Sequence, residues 1–213
     1  MPKTPEAVIF DIGNVLINWD PRLLYDQLLP DRAAQDALFA AAGLDAMNEA
    51  MDLGAPFRET VYATAGRNPE YRDLIRAWHD RWIEMARPAI AGSWALLRAL
   101  RARGVPVFAL SNFGKESFAL AETHYPELAE FDRRFLSGHL GVIKPDPAIY
   151  RIVEEETGFR GPQLFFIDDR ADNVAAACAR GWRGHRFTGA PALAEEIAAL
   201  GLLGDGQVGT EAL

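Results

Sequence analysis

Apolar runs that stop abruptly at a polar residue recur along this chain. Ala7-Val8-Ile9-Phe10 stops at Asp11, Val105-Pro106-Val107-Phe108-Ala109-Leu110 at Ser111-Asn112, and Leu164-Phe165-Phe166-Ile167 at Asp168-Asp169. Short apolar runs with β-branched members, closed by turn residues, predict buried strands of a parallel sheet. Helical spacing fills the intervals: Ser93 to Arg103 stopped by Gly104, Gly114 to about His124, Asp146 to Thr157 ended by Gly158, and Asp172 to Arg180 stopped by Gly181. Phe135-Leu136 and Gly184 to Phe187 read as short strands, Pro191 to Leu200 as a last helix, and the Gly-rich tail from Gly204 as loosely held. Alternating strands and helices predict an α/β fold: a Rossmann-like parallel sheet with crossover helices.

One block departs from that rhythm. From Pro21 to about Pro88, Leu23, Leu24, Leu28, Ala37, Leu38, Ala41, Leu74, Ile75, Trp78, Trp82 and Met85 recur at helical intervals. Breaks fall at Pro30-Asp31, Gly43, Gly54-Ala55-Pro56 and Gly66-Arg67-Asn68-Pro69. The block predicts about four helices and no strand. It separates the first strand from the others, so the expected division is a core of residues 1–17 and 88–213 with a helical cap of residues 18–87 over the strand ends. Trp78 and Trp82 lie one helical turn apart and read as core packing. Trp19 and Phe113, beside the polar stops, suit either core packing or a pocket wall. Arg58 and Arg67, in the breaks, are placed to meet a substrate or simply to face solvent.

Composition narrows the possibilities. With 213 residues and 49% hydrophobic content, the chain can bury a full core. A net charge of -8 argues against a nucleic-acid surface, and no apolar run is long enough to span a membrane. Cys178 is the single cysteine and excludes an internal disulfide; with the start Met1-Pro2-Lys3-Thr4 it leads to the expectation of a cytoplasmic protein, monomeric or homodimeric. Cations are overwhelmingly Arg. Lysine occurs only at Lys3, Lys115 and Lys144, so Lys144 is a candidate position for a compact point charge. His79, His124, His139 and His185 are scattered without metal-ligand spacing and read as structural.

In a parallel sheet the strand ends lie along one edge, where ligands bind. Taken alone, Asp11 suits either a turn cap or a ligand contact. Taken together, Asp11, Ser111-Asn112, Asp168-Asp169 and Lys144, which precedes Pro145 at a helix start, converge on that edge. Acids crowded into a partly buried site repel unless a cation lies between them. Oxygen ligands of this kind suit Mg²⁺ with a substrate phosphate. A hydroxyl, an amide and an ammonium suit phosphoryl oxygens, and a carboxylate can attack phosphorus to give an aspartyl-phosphate.

The four segments Asp11-Ile12-Gly13-Asn14-Val15, Leu110-Ser111-Asn112, Lys144-Pro145-Asp146-Pro147 and Ile167-Asp168-Asp169-Arg170-Ala171-Asp172-Asn173 resemble, in order, the four motifs of the haloacid dehalogenase-like (HAD) hydrolases. The branch containing bacterial α-glucose-1-phosphatase is the most similar. The resemblance implies a capped Rossmann-like core and a Mg²⁺-dependent phosphatase for a small phosphorylated metabolite, with a sugar phosphate as the candidate by analogy with that branch. It implies Asp11 as nucleophile, Ser111 and Asn112 as phosphoryl contacts, and Lys144 as the stabiliser of Asp11 and of the phosphoryl oxygens. Asp11, the Gly13 carbonyl and Asp169 would hold the metal, with Asp168 assisting directly or through water. Asp172 and Asn173 would cap the next helix and orient the metal site.

Most phosphatases of this family carry a second Asp two residues after the nucleophile, which protonates the leaving group and then activates water. Here that position is Gly13. Such proton transfer is typically worth about 10²–10⁴ in rate. The glucose-1-phosphatase branch shares the Gly-Asn pair and is active, so another group, water or a good leaving group is expected to compensate. Two rivals remain: a 2-haloacid dehalogenase, disfavoured by Gly13 and by the paired acids, and a phosphate-binding regulatory protein with impaired turnover.

Overall fold

The computed structural model describes residues 4–204, so the expectation for the tail beyond Gly204 lies outside the described residues. The elements run β1 (Ala7–Phe10), β2 (Ile17–Trp19), α1 (Arg22–Leu28), α2 (Arg32–Ala42), α3 (Leu44–Asp52), α4 (Phe57–Arg67), α5 (Arg72–Asp80) and β3 (Ala86–Ala89). They continue with α6 (Ala91–Ala102), β4 (Val107–Ser111), α7 (Lys115–His124), β5 (Arg133–Leu136), α8 (Ser137–Leu140) and α9 (Pro147–Thr157). The last are β6 (Leu164–Asp168), α10 (Ala171–Ala179), β7 (Arg183–Arg186) and α11 (Ala190–Ala199).

Five strands form a parallel sheet in the order β5-β4-β1-β6-β7. β1 is central and every one of its residues is buried, which is why it reads as an unbroken apolar run. The period of two separates the faces. Val8, Phe10, Val107, Ala109, Phe165 and Ile167 belong to one core, together with Leu96, Leu97 and Leu100 of α6 and Leu193 and Ile197 of α11. Ala7, Ile9, Phe108, Leu110, Leu164 and Phe166 belong to a second core, with Ile149, Tyr150 and Val153 of α9 and Ala177 of α10. Helices on both faces and β1 in the middle put the carboxyl ends of β4, β1 and β6 side by side.

Residues 22–80 supply five helices between β1 and β4, with Gly43 in the left-handed region between α2 and α3 (φ 62°), where an αL stop is expected. The sequence pattern misses β2, β3 and the short α8. β3 pairs antiparallel with β2, joining the two ends of the helical block into a ribbon. Arg87-Pro88-Ala89 is exposed there, so β3 carries little apolar signal. Trp78 is fully buried among Tyr25, Phe39 and Trp19, as its spacing predicts. No helix among the described residues is long and apolar enough to cross a membrane.

Candidate active site

Each strand end delivers one piece of the site. Asp11 follows β1, Ser111 closes β4 and Asp168 closes β6. All three are buried, and so is Lys144, which follows α8. The Lys144 Nζ lies 2.9 Å from Asp11 Oδ1 and 2.6 Å from Asp168 Oδ2. It also donates to the Leu110 carbonyl at 2.9 Å. The ammonium is therefore saturated by three oxygens, and both buried carboxylates share it.

Two neighbours aim this lysine. The Asn112 carboxamide accepts the Lys144 N–H at 2.7 Å and donates to the Lys144 carbonyl at 3.0 Å. Asn112 thus pins residue 144 through its side chain while still lining the cavity. Asp168 is held as firmly: its Oδ1 accepts from the Arg170 N–H at 2.9 Å, and Asn173 Nδ2 bridges both of its oxygens at 3.0 and 3.1 Å. Asn173 orients the acid as expected. Asp172 does not cap α10: Arg170 is the N-cap residue, and Asp172 sits in the first turn paired with Arg170.

Asp169 is half-buried beside this cluster, and its Oδ2 accepts from Asn14 Nδ2 at 3.3 Å. Asn14 takes a left-handed backbone (φ 54°), which Asn tolerates better than most residues, while its Oδ1 receives the Trp19 N–H at 2.8 Å. Asp11, Asp168 and Asp169 each offer a carboxylate oxygen within 4.8 Å of the others. Burial, opposed by Lys144 and a hydrogen bond from Ser111 and helped by the Asp168 charge, leaves the Asp11 carboxyl raised to about 7. Burial and the Asp168 charge also raise Asp169, whereas Asp11 and Asp168 raise Lys144 and keep it an ammonium. Three close carboxylates with one ammonium leave an excess of negative charge that a divalent, oxygen-seeking cation fits.

The site opens into a cavity of about 350 Å³. Asp11, Gly13, Asn14, Ser111, Asn112, Lys144 and Asp169 line its floor, and Trp19, Trp82 and Phe113 form an aromatic wall. Ring centroids are 5.3 Å apart for Trp19 and Trp82, and 5.7 Å for Trp82 and Phe113. Trp82 is thus a pocket residue as well as a packed one. Arg58 and Arg67 do not line the cavity; Arg58 stacks on Tyr62 and Arg67 donates to Thr64. Sequence reasoning missed Asn48, Asp52 and Arg170, which do line it. The available signal for Asp52 was an acid two residues ahead of the Gly54-Ala55-Pro56 break.

A profile of haloacid dehalogenase-like hydrolases matches residues 5–180. A sesquiterpene phosphatase of Aspergillus oryzae is 27% identical over 92% of this chain and 97% of its own length. The enolase-phosphatase E1 of Acidiphilium cryptum is 28% identical over 85% of this chain and 84% of its own. A HAD family enzyme of Bacteroides thetaiotaomicron, crystallised with magnesium and inorganic phosphate, shares the fold with a TM-score of 0.60 at 20% identity, over 85% of this chain and 93% of that one. The chain belongs to the haloacid dehalogenase-like hydrolases, and phosphatases are among its relatives.

Proposed function

We propose that the protein is a Mg²⁺-dependent phosphomonoesterase that transfers the phosphoryl group of a small metabolite to Asp11 and then to water. The observation that carries this reading is the cluster of Asp11, Asp168 and Asp169 oxygens within 4.8 Å, with Lys144 bonded to two of these acids. Asp11, Asp169 and the Gly13 carbonyl would hold the ion, with Asp168 beside it. Bound Mg²⁺ would neutralise the acids and attract a phosphoryl oxygen. The Bacteroides enzyme of this fold binds both magnesium and phosphate, which supports the assignment.

The chain's own residues account for the steps. Asp11 attacks phosphorus as a carboxylate, and the P–O bond to the leaving group breaks. Lys144 keeps Asp11 ionised against the burial that favours its protonation, and its charge stabilises the phosphoryl oxygens. Ser111, already bonded to Asp11, donates to the phosphoryl group. Asn112 and Asp168 fix Lys144 so that no reorganisation is needed during transfer. The helical block of residues 18–87 acts as a cap on the core of residues 1–17 and 88–213, shielding the acyl phosphate from premature solvent access. One cysteine and a negative net charge fit a reducing, cytoplasmic setting without nucleic-acid partners.

The substrate reading follows from the wall above the acids. Trp19, Trp82 and Phe113 accept a flat or apolar group. An isoprenoid monophosphate, the kind of substrate implied by the fungal relative's name, suits that wall better than the sugar phosphate implied by the glucose-1-phosphatase branch. Phosphate release from a panel of sugar and isoprenoid monophosphates, with Mg²⁺ and with EDTA, tests the reading. Magnesium-dependent release favouring the isoprenoid is expected. Equal release in EDTA removes the metal from the mechanism. Halide release from 2-chloropropionate without metal supports the dehalogenase rival, and tight BeF₃⁻ binding without turnover supports the regulatory one.

A further inference from the structure

The proton that Gly13 cannot supply must come from elsewhere. Packing does not dictate the glycine: a Cβ there would meet only Trp19 Cβ, at an ordinary 3.7 Å. The site has room for a side chain and lacks one, so the missing acid is a chemical feature of the site. In an in-line displacement the leaving-group oxygen lies on the far side of phosphorus from Asp11, within a cavity that the helical block lines with Trp19, Asn48, Asp52 and Trp82. The acidic side chain that the block contributes to the cavity lining is Asp52, the last residue of α3.

We propose that Asp52 is the general acid and base of this enzyme, supplied from the helical block in place of the missing carboxylate at position 13. This deepens the phosphatase reading and rests on it. In the first step the protonated Asp52 carboxyl gives its proton to the leaving oxygen as the P–O bond breaks, releasing the alcohol. In the second the Asp52 carboxylate takes a proton from water as that water attacks the phosphorus of phospho-Asp11. Inorganic phosphate leaves, Asp11 returns to a carboxylate and Asp52 is protonated again.

The surroundings of Asp52 suit both halves of that cycle. Its carboxyl is bonded to the Gly114 N–H and to Asn48 Nδ2, the latter at 2.9 Å one turn back on α3. Its carbonyl accepts from Ser137 Oγ at 2.6 Å, and the same Oγ accepts the Phe113 N–H at 2.9 Å. Gly54 approaches Gly138 so closely that a Cβ would fall 2.7 Å from the Gly138 carbonyl oxygen. Asp52 is therefore bolted to α8 and to the loop that leaves β4 just after Ser111. It belongs to the helical block by sequence and to the catalytic floor by contact. Burial pushes its carboxyl to about 7, with the Gly114 bond and Lys144 pulling down and Asp11 and Glu49 pushing up. Other charged groups near its anchors are Lys115, beside Gly54, and Glu116, which accepts the Phe57 N–H. An acid near neutrality can both donate and accept at working pH.

The test compares n-butyl phosphate, whose alkoxide needs a proton, with p-nitrophenyl phosphate, whose phenolate leaves without one. Asp52→Asn keeps the shape. It is expected to lower kcat/KM for butyl phosphate by about 10²–10³ while changing that for the aryl ester by less than about threefold. It is also expected to give a burst of p-nitrophenolate with accumulated phospho-Asp11, because the second step loses its base. Asp52→Glu should recover part of the alkyl activity. A second measurement needs no variant: in the wild type the alkyl-to-aryl ratio of kcat/KM should fall about tenfold per pH unit above neutrality. Equal losses on both esters, no loss on either, or a flat ratio with pH each overturn the role of Asp52. A wild type inert toward both esters, or one whose Asp11→Asn variant still turns over, overturns the phosphatase reading and the proton role with it.

Discussion

The ammonium of Lys144 touches three oxygens, two of them on carboxylates, and almost none of it reaches solvent. Removing one partner of a buried ionic cluster strands the others, at about 3–5 kcal/mol. Lys144→Ala is therefore expected to lower unfolding free energy by that amount in denaturant titrations, as well as activity. Lys144→Met should lose activity with a comparable penalty, because it fills the space and still leaves Asp11 and Asp168 unpaired. Asp11→Asn should behave differently: it removes the nucleophile and lowers turnover by about 10³-fold or more, yet keeps the fold, because one of the crowded acids is gone. Asp11 and Asp168 were legible in the sequence because each stands at the end of an apolar run, and Lys144 because lysine is rare in this chain and this one precedes Pro145 at a helix start. Asn112 was legible as a site residue, but its link to residue 144, 32 positions away and bonded to both ends of its amide, was not.

At the level of elements, unbroken apolar runs marked β1, β4 and β6, whose residues are buried on both faces. β3 was hidden because its residues are largely exposed and it is defined by pairing with β2 alone. The function of the α3 end was hidden for a related reason: Asp52 meets the loop after β4 only through tertiary contact, and spacing carries no trace of it. The α3–α4 turn depends on Gly54, at φ 104° and against the Gly138 carbonyl. Gly54→Ala combines a disfavoured backbone with a clash and is expected to destabilise the protein by about 1–3 kcal/mol. If α3 is the seat of the proton donor, the same variant should also reduce turnover of alkyl phosphates more than of aryl phosphates. Circular dichroism melts and the two-substrate comparison check both outcomes.

Across the whole molecule the site is a conflict that the fold sustains. The ends of β1 and β6 bring three acids to one edge of the five-stranded sheet, where the segment after α8 adds one lysine, and the resulting excess charge disfavours the metal-free folded state. Burial raises Asp11 from 3.8 to about 7, and Asp52 likewise. A carboxyl raised in the folded state adds stability below its unfolded pKa, and that contribution is lost as pH rises through the folded value. Metal-free protein is thus expected to lose melting temperature between pH 5 and pH 8. Protons and Mg²⁺ compete for the same oxygens, so the rise in melting temperature on adding Mg²⁺ should be larger at pH 8 than at pH 6. A Mg²⁺ effect of the same size at both pH values would remove the acids from the binding site.

The central claim is that the carboxylate ending β1 takes the phosphoryl group. Protein turning over p-nitrophenyl phosphate in Mg²⁺ can be quenched in acid, digested and weighed by mass spectrometry. The account predicts a hydroxylamine-labile phosphate on Asp11, present with Mg²⁺ and missing with EDTA, and accumulating in Asp52→Asn. Phosphate on another residue, or no acyl phosphate during rapid turnover, would contradict it.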